Sequence, residues 1–204
     1  AKPQTLAFSP DGERIAVGYA DAAEIDVFDG KNLKLLFKPT VKKMDEAGGL
    51  DKVCFSADGR YLYAGGGFSQ QENNTWWRVV RQWTKGGKGG YTDYPACSSS
   101  ITDIKSLPGG DIMVGGMQPD FCRLDSKGHK LYYREGEIHA FNVRDLSHFK
   151  TNLRGDIVAF TPSGKDAMQF SVPAKKLASF LPDASLQNFR VNQPGLALSD
   201  WQNT

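Results

Sequence analysis

Short apolar runs separated by turn residues recur along the chain, and one stretch shows the unit most clearly. In "FSPDGERIAVGYADAAEIDVFDG", Phe8 to Gly30, a Ser-Pro-Asp-Gly turn leads into Ile15-Ala16-Val17. A small-residue and acidic corner follows, and Ile25-Asp26-Val27-Phe28 closes on Asp29-Gly30. Runs this short, β-branched and aromatic and bounded by Gly, Pro and Asp, are strand signals. The turn has a mechanism. Pro presets φ, Asp or Ser bonds the local backbone, and Gly takes the positive φ that closes a tight hairpin.

The turn returns as Phe55-Ser56-Ala57-Asp58-Gly59, more loosely as Leu107-Pro108-Gly109-Gly110, and again as Phe160-Thr161-Pro162-Ser163-Gly164. Each copy predicts a strand before it, at residues 5–8, 52–55, 101–107 and 157–160. A second strand is predicted after it, at 14–17, 60–64, 111–114 and 167–172, and a third beyond, at 24–28, 76–83, 121–124 and 176–180. A fourth, outer strand fits 33–37, 129–133 and 187–191; in the second unit the glycine-rich stretch after Trp83 obscures it. A strand-rich period of about fifty residues is the signature of an all-β fold, the β-propeller of four-stranded antiparallel blades. The expected blades run approximately over 4–38, 51–96, 101–134 and 156–191, within one domain spanning 1–204.

These residues resemble the WD-repeat family of propellers. The likeness rests on the Phe-Ser-Pro-Asp-Gly turns, on Asp21 at the acidic corner, and on Phe28-Asp29, Trp83-Thr84 and Leu124-Asp125, which stand where that family often has Trp-Asp. It covers about residues 4–190. The family's Gly-His pair before each blade is missing, so its buried Asp-His-Ser/Thr-Trp network is not expected here. Rings of this kind usually close with seven or eight blades, each burying its faces on its neighbours. The resemblance therefore implies about half a ring, with the remaining blades from another chain or from a C-terminal continuation. Residues 194–204 break off without a finished unit, in keeping with that expectation. A closed four-bladed ring is the alternative.

Composition sets outer bounds. The chain has 204 residues, 40% hydrophobic, with a formal net charge of +2. A charge so near neutral gives no argument for nucleic acid or an anionic membrane surface. No apolar run approaches the roughly 18 residues of a membrane span. Three cysteines, Cys54, Cys97 and Cys122, give no disulfide framework. They read as reduced thiols, which favours the cytoplasm.

Function is expected on the face opposite the short turns, where loops 38–50, 68–75, 86–100 and 134–155 gather. Long loops on a rigid scaffold are where binding concentrates. In the second unit, aromatic and basic residues interleave, and the candidate partner-binding residues are Phe68, Trp76, Trp77, Arg78, Lys88, Tyr91 and Tyr94. The competing reading is plain strand alternation, with Trp77, Val79 and Arg81 on one face and Trp76, Arg78 and Val80 on the other. Gly86-Gly87-Lys88-Gly89-Gly90 lacks phosphate-loop spacing and reads as a flexible connection. His129, His139 and His148 are not spaced as metal ligands, Asn73-Asn74-Thr75 matches a glycosylation pattern by chance, and Gly-x-Ser-x-Gly is absent. No cofactor is expected. The expectation is a protein-interaction scaffold with a protein partner, not an enzyme. Resembling bacterial propellers are joined to signalling or caspase-like protease domains, and the resemblance implies such a context. The alternative is a propeller enzyme or small-molecule binder with its site at the channel mouth.

Overall fold

A computed structural model of the chain describes residues 1–41, 49–118, 120–135, 150–160, 168–171 and 176–179. Strands β1 (Pro3–Phe8), β2 (Arg14–Tyr19), β3 (Ile25–Asp29) and β4 (Leu35–Phe37) pair in sequence order as one antiparallel blade. Blade two contains β5 (Lys52–Phe55), β6 (Leu62–Gly65), β7 (Ser69–Glu72), β8 (Thr75–Trp83) and β9 (Tyr91–Cys97). Blade three is β10 (Ile101–Ser106), β11 (Ile112–Gly116), β12 (Phe121–Leu124) and β13 (Lys130–Arg134). Blade four is β14 (Lys150–Thr151), β15 (Ile157–Phe160), β16 (Met168–Ser171) and β17 (Lys176–Ser179). The expected outer strand at 187–191 and the tail from 194 lie outside the described residues.

One hydrogen-bonded turn builds the first two blades. Ser9 Oγ accepts from Arg14 N at 2.9 Å, Asp11 Oδ1 accepts from Glu13 N at 3.0 Å, and Gly12, at φ 70°, donates to Ser9 O at 2.8 Å. The second copy repeats it: Tyr61 N to Ser56 Oγ 2.9 Å, Arg60 N to Asp58 Oδ1 3.0 Å, Gly59 N to Ser56 O 2.9 Å, φ again 70°. Only glycine takes this conformation without strain. Leu107 to Gly110 keeps the backbone bond, Gly110 N to Leu107 O, without the side-chain clasp.

The fourth unit corrects the sequence reading. Residues 157–160 form its second strand, not its first, and the first is β14. The turn between them is Asn152-Leu153-Arg154-Gly155. Asn152 Oδ1 accepts from Asp156 N at 3.1 Å and Ile157 N at 3.2 Å, doing the serine's work, and Gly155 supplies the positive φ. Residues 161–164, read as the turn, lie outside the described residues.

Blades stack through alternating faces. Ala7, Ala16, Val27 and Phe37 of blade one meet Val53, Phe55, Leu62, Ala64 and Trp83 of blade two. The other face of blade two, with Tyr63, Val80 and Ala96, meets Ile104, Ile112, Val114, Cys122 and Leu124 of blade three. Each fully buried aliphatic or aromatic side chain contributes roughly 1.5–3 kcal/mol. Arg123 fastens blade three to the turn of blade four, donating through Nη1 to Arg154 O at 3.0 Å. The four blades form a partial propeller: Leu6 and Phe8, on the outward face of blade one, are 63% and 59% exposed.

Candidate interaction surface

Blade two departs most from the repeat. Strand β9 pairs with β8 only from Arg78 to Trp83. The earlier part of β8 pairs with β7 instead: Gln70 faces Trp77, Gln71 faces Trp76, and Glu72 faces Thr75. A hairpin therefore projects past the blade, on the side opposite the Ser-Pro-Asp-Gly turns. Its tip is Asn73-Asn74, at φ 50° and 63°. Two successive positive φ values make the primed turn that matches strand twist, and asparagine tolerates them better than most residues.

The hairpin is anchored at its root. Trp77 stands edge-on to Tyr133 of blade three, centroids 5.2 Å apart at 77°, and Lys130 Nζ lies 3.6 Å from the Trp77 ring centroid. Arg78 Nη1 donates to Gly67 O at 2.6 Å. Trp76, by contrast with Trp77, is 62% exposed. Strand alternation placed Trp77 with Arg81, but a register shift in the β8–β9 ladder intervenes at Arg78 and Val79, and Trp77 packs towards blade three.

The other expected residues are drawn elsewhere. Phe68 is buried and Tyr91 half-buried, and both pack on Arg81, whose guanidinium lies 5.7 Å and 3.9 Å from their ring centroids. Tyr94 is half-buried between blades two and three, its hydroxyl 3.2 Å from Gln82 Oε1. Lys88 lies over Phe37 at 5.2 Å on the short-turn face, away from Trp76. The segment 86–100 is thus not a long inter-blade loop, as the sequence suggests. Tyr91–Cys97 is the outer strand, and the glycine stretch is an ordered turn in which Gly86 N donates to Arg60 O at 2.7 Å. Its glycines make room for close packing: a Cβ on Gly87 would meet Leu62 and Phe37 at 3.1 Å.

Sequence reasoning missed the groups that fix this face. Asp120, fully buried just before β12, accepts from Ser98 N at 2.6 Å and Ser98 Oγ at 3.0 Å, and also from the Ser99 hydroxyl. Asp21, in the corresponding corner of blade one but exposed and four residues before β3, accepts from Lys2 N at 2.6 Å. A carboxylate at the corner before the third strand thus ties down the chain entering the blade, without the histidine of the WD network. The acidic-corner signal was visible at Asp21; at Asp120 only its position before a strand gave it away. Lys130 and Tyr133 carried no signal.

The inner strands β1, β5, β10 and β14 line a cavity of about 830 Å³. Its charges are matched locally, Lys52 to Asp51 at 2.6 Å and Lys105 to Asp103 at 3.3 Å. The Cys54 thiol on its wall is pushed up to about 12 by burial, so it is not a ready nucleophile. Burial also raises Cys97. His129 Nδ1 lies 2.8 Å from Asp125 Oδ2; His139 and His148 are outside the described residues.

No protein-family profile matches the chain, and no curated protein matches it. Solved structures do. The structure of U3-55K superposes with a TM-score of 0.65 at 11% identity, over 88% of this chain and 51% of that one. The RRP9 WD40 repeats superpose with a TM-score of 0.66, also at 11% identity, over 88% and 51%. The fold is that of WD40-repeat propellers. The chain spans about half the length of these two relatives in fold.

Proposed function

We propose that this chain is a protein-interaction scaffold that binds its partner through the β7–β8 hairpin on the long-loop face. The observation that carries the reading is Trp76, exposed on a hairpin whose neighbouring residues Trp77 and Arg78 are held in place. A tryptophan presented with little freedom left to lose is the kind of side chain that anchors protein interfaces. The polar surround, Gln70, Gln71, Glu72, Asn73 and Asn74, suits the rim of such a contact. Further blades, from another chain or a continuation of this one, would extend the same face. In a larger protein this scaffold would hold a signalling or protease domain against its target.

The test is comparative capture from extract of the source cells. Wild type, Trp76→Ala and Lys31→Ala chains are compared by quantitative mass spectrometry, Lys31 lying on the short-turn face. Proteins retained by wild type and Lys31→Ala but lost by Trp76→Ala support the reading. An identical set from all three contradicts it.

A further inference from the structure

A cleft of about 450 Å³ opens on the short-turn face where blade one meets blade two. Arg14 lines it. The guanidinium lies 5.2 Å from the Phe55 ring centroid, and Nη1 donates to Gly86 O at 3.4 Å. Its ion pair with Asp11 is long, at 3.7 Å. Gly86 makes room for it, because a Cβ there would strike the guanidinium. Arg14 is thus held in place while its donors are loosely used, which suits a planar carboxylate. Lys31, Lys85 and Lys88 also line the cleft; all three are exposed, and none pairs with a carboxylate among the described residues. Lys85 stands at φ 53°, in the left-handed region, although the turn places glycine at the next two positive-φ positions. Backbone strain of that kind gathers at ligand-binding sites. The acids of the cleft are engaged in their own turns. Asp11 Oδ1 accepts from Ser9 Oγ at 2.5 Å and Glu13 N at 3.0 Å, and Asp29 Oδ1 from Lys31 N at 2.9 Å and Asn32 N at 3.0 Å. Leu36, 46% exposed, adds an apolar wall.

We propose that this cleft binds an acidic segment of a partner protein, with a carboxylate on Arg14 and the lysines and an apolar side chain on Leu36. Charge complementarity favours protein over nucleic acid here. Four basic side chains line the cleft beside three carboxylates, Asp11, Glu13 and Asp29. A continuous phosphate backbone would run against those carboxylates, whereas separate Asp or Glu side chains fit between them. The cleft lies on the face opposite the β7–β8 hairpin, so its occupant does not depend on what Trp76 binds.

Selection of a random peptide library on the full chain tests this. Wild type and Trp76→Ala should both enrich peptides in which Asp or Glu stands beside apolar residues. A chain carrying Lys85→Glu and Lys88→Glu should lose that enrichment. The selected peptide should bind more weakly as salt rises, because the charges it meets are exposed. Its Asn and Gln version should bind on the order of tenfold more weakly. Lys85→Gly separates binding from folding. Glycine suits the backbone at φ 53°, so this variant should keep the wild-type circular dichroism and still weaken the peptide several-fold. Enrichment indifferent to the two lysine substitutions overturns the proposal, and so does a selection that yields no acidic peptides. A mixed-sequence RNA oligonucleotide that binds more tightly than the peptide, with the same lysine dependence, overturns it in favour of nucleic acid.

Discussion

Arg81 and Asp93 form a two-pronged ion pair inside blade two, Nε to Oδ1 at 2.7 Å and Nη2 to Oδ2 at 2.7 Å, with Arg81 fully buried. Gln70 donates to the second carboxylate oxygen at 3.1 Å, and Tyr91 covers the guanidinium face. Removing one partner strands a buried charge, which costs about 3–5 kcal/mol. Asp93→Ala should lower the unfolding free energy by that amount in urea. Arg81→Leu with Asp93→Leu should recover much of it, because a well-packed apolar pair carries no desolvation penalty.

The turn carboxylates give the fold an acid dependence. Asp58 is lowered from an ordinary 3.8 to about 2, first by the Arg60 N–H and then by the Ser56 hydroxyl. A carboxyl depressed in the folded state contributes stability above its unfolded value, and loses it as pH falls through the folded value. Stability should therefore fall between pH 3.8 and about 2. In Asp58→Asn the fall over that window should be shallower, measured by denaturant unfolding at each pH.

Legibility followed how self-contained each signal is. Ser9-Pro10-Asp11-Gly12 and Ser56-Ala57-Asp58-Gly59 carry their own donors, acceptors and glycine, so blades one and two start where the sequence places them. In blade four Asn152 makes the bonds that Ser and Asp make in the other turns, with Leu153 and Arg154 at the Pro and Asp positions, and a better-looking Thr-Pro-Ser-Gly downstream misplaces the unit. Strand β9 was hidden because Pro95 lies within it, which an outer strand tolerates. Strand β7 was hidden because Gln70-Gln71-Glu72 has no apolar alternation and is held by its pairing with β8 and by the Gln70 bond to Asp93. Both tryptophans stood out in the sequence. Which is held and which is free depends on Lys130 and Tyr133, distant in sequence and brought close by blade packing.

Asp120 fastens the entry to blade three. With this buried carboxylate gone, the Ser98 and Ser99 donors lose a charged acceptor; each such bond contributes about 1.5–3 kcal/mol. Asp120→Ala should lower the unfolding free energy by several times the ~0.5 kcal/mol typical of a surface change. Hydrogen exchange should rise at Ser98 and Ser99 first.

Trp77 holds the hairpin and not the blade. An edge-on aromatic pair contributes about 0.5–1.5 kcal/mol beyond its buried area, and the lysine contact about 0.5–1 kcal/mol. Trp77→Ala should leave the cooperative unfolding of the blades in place. It should raise amide exchange across Ser69–Trp76, and a milder rise is expected for Lys130→Ala.

The open arc is the central claim, and Phe8 and Phe55 test it as equivalent residues in adjacent blades. Hydroxyl-radical footprinting of the dilute, unsubstituted chain should label Phe8 freely and spare Phe55, matching their 59% and 4% exposures. Equal protection of the two rings at the lowest concentration would contradict the account, because a face sealed within a single copy means that four blades close the ring.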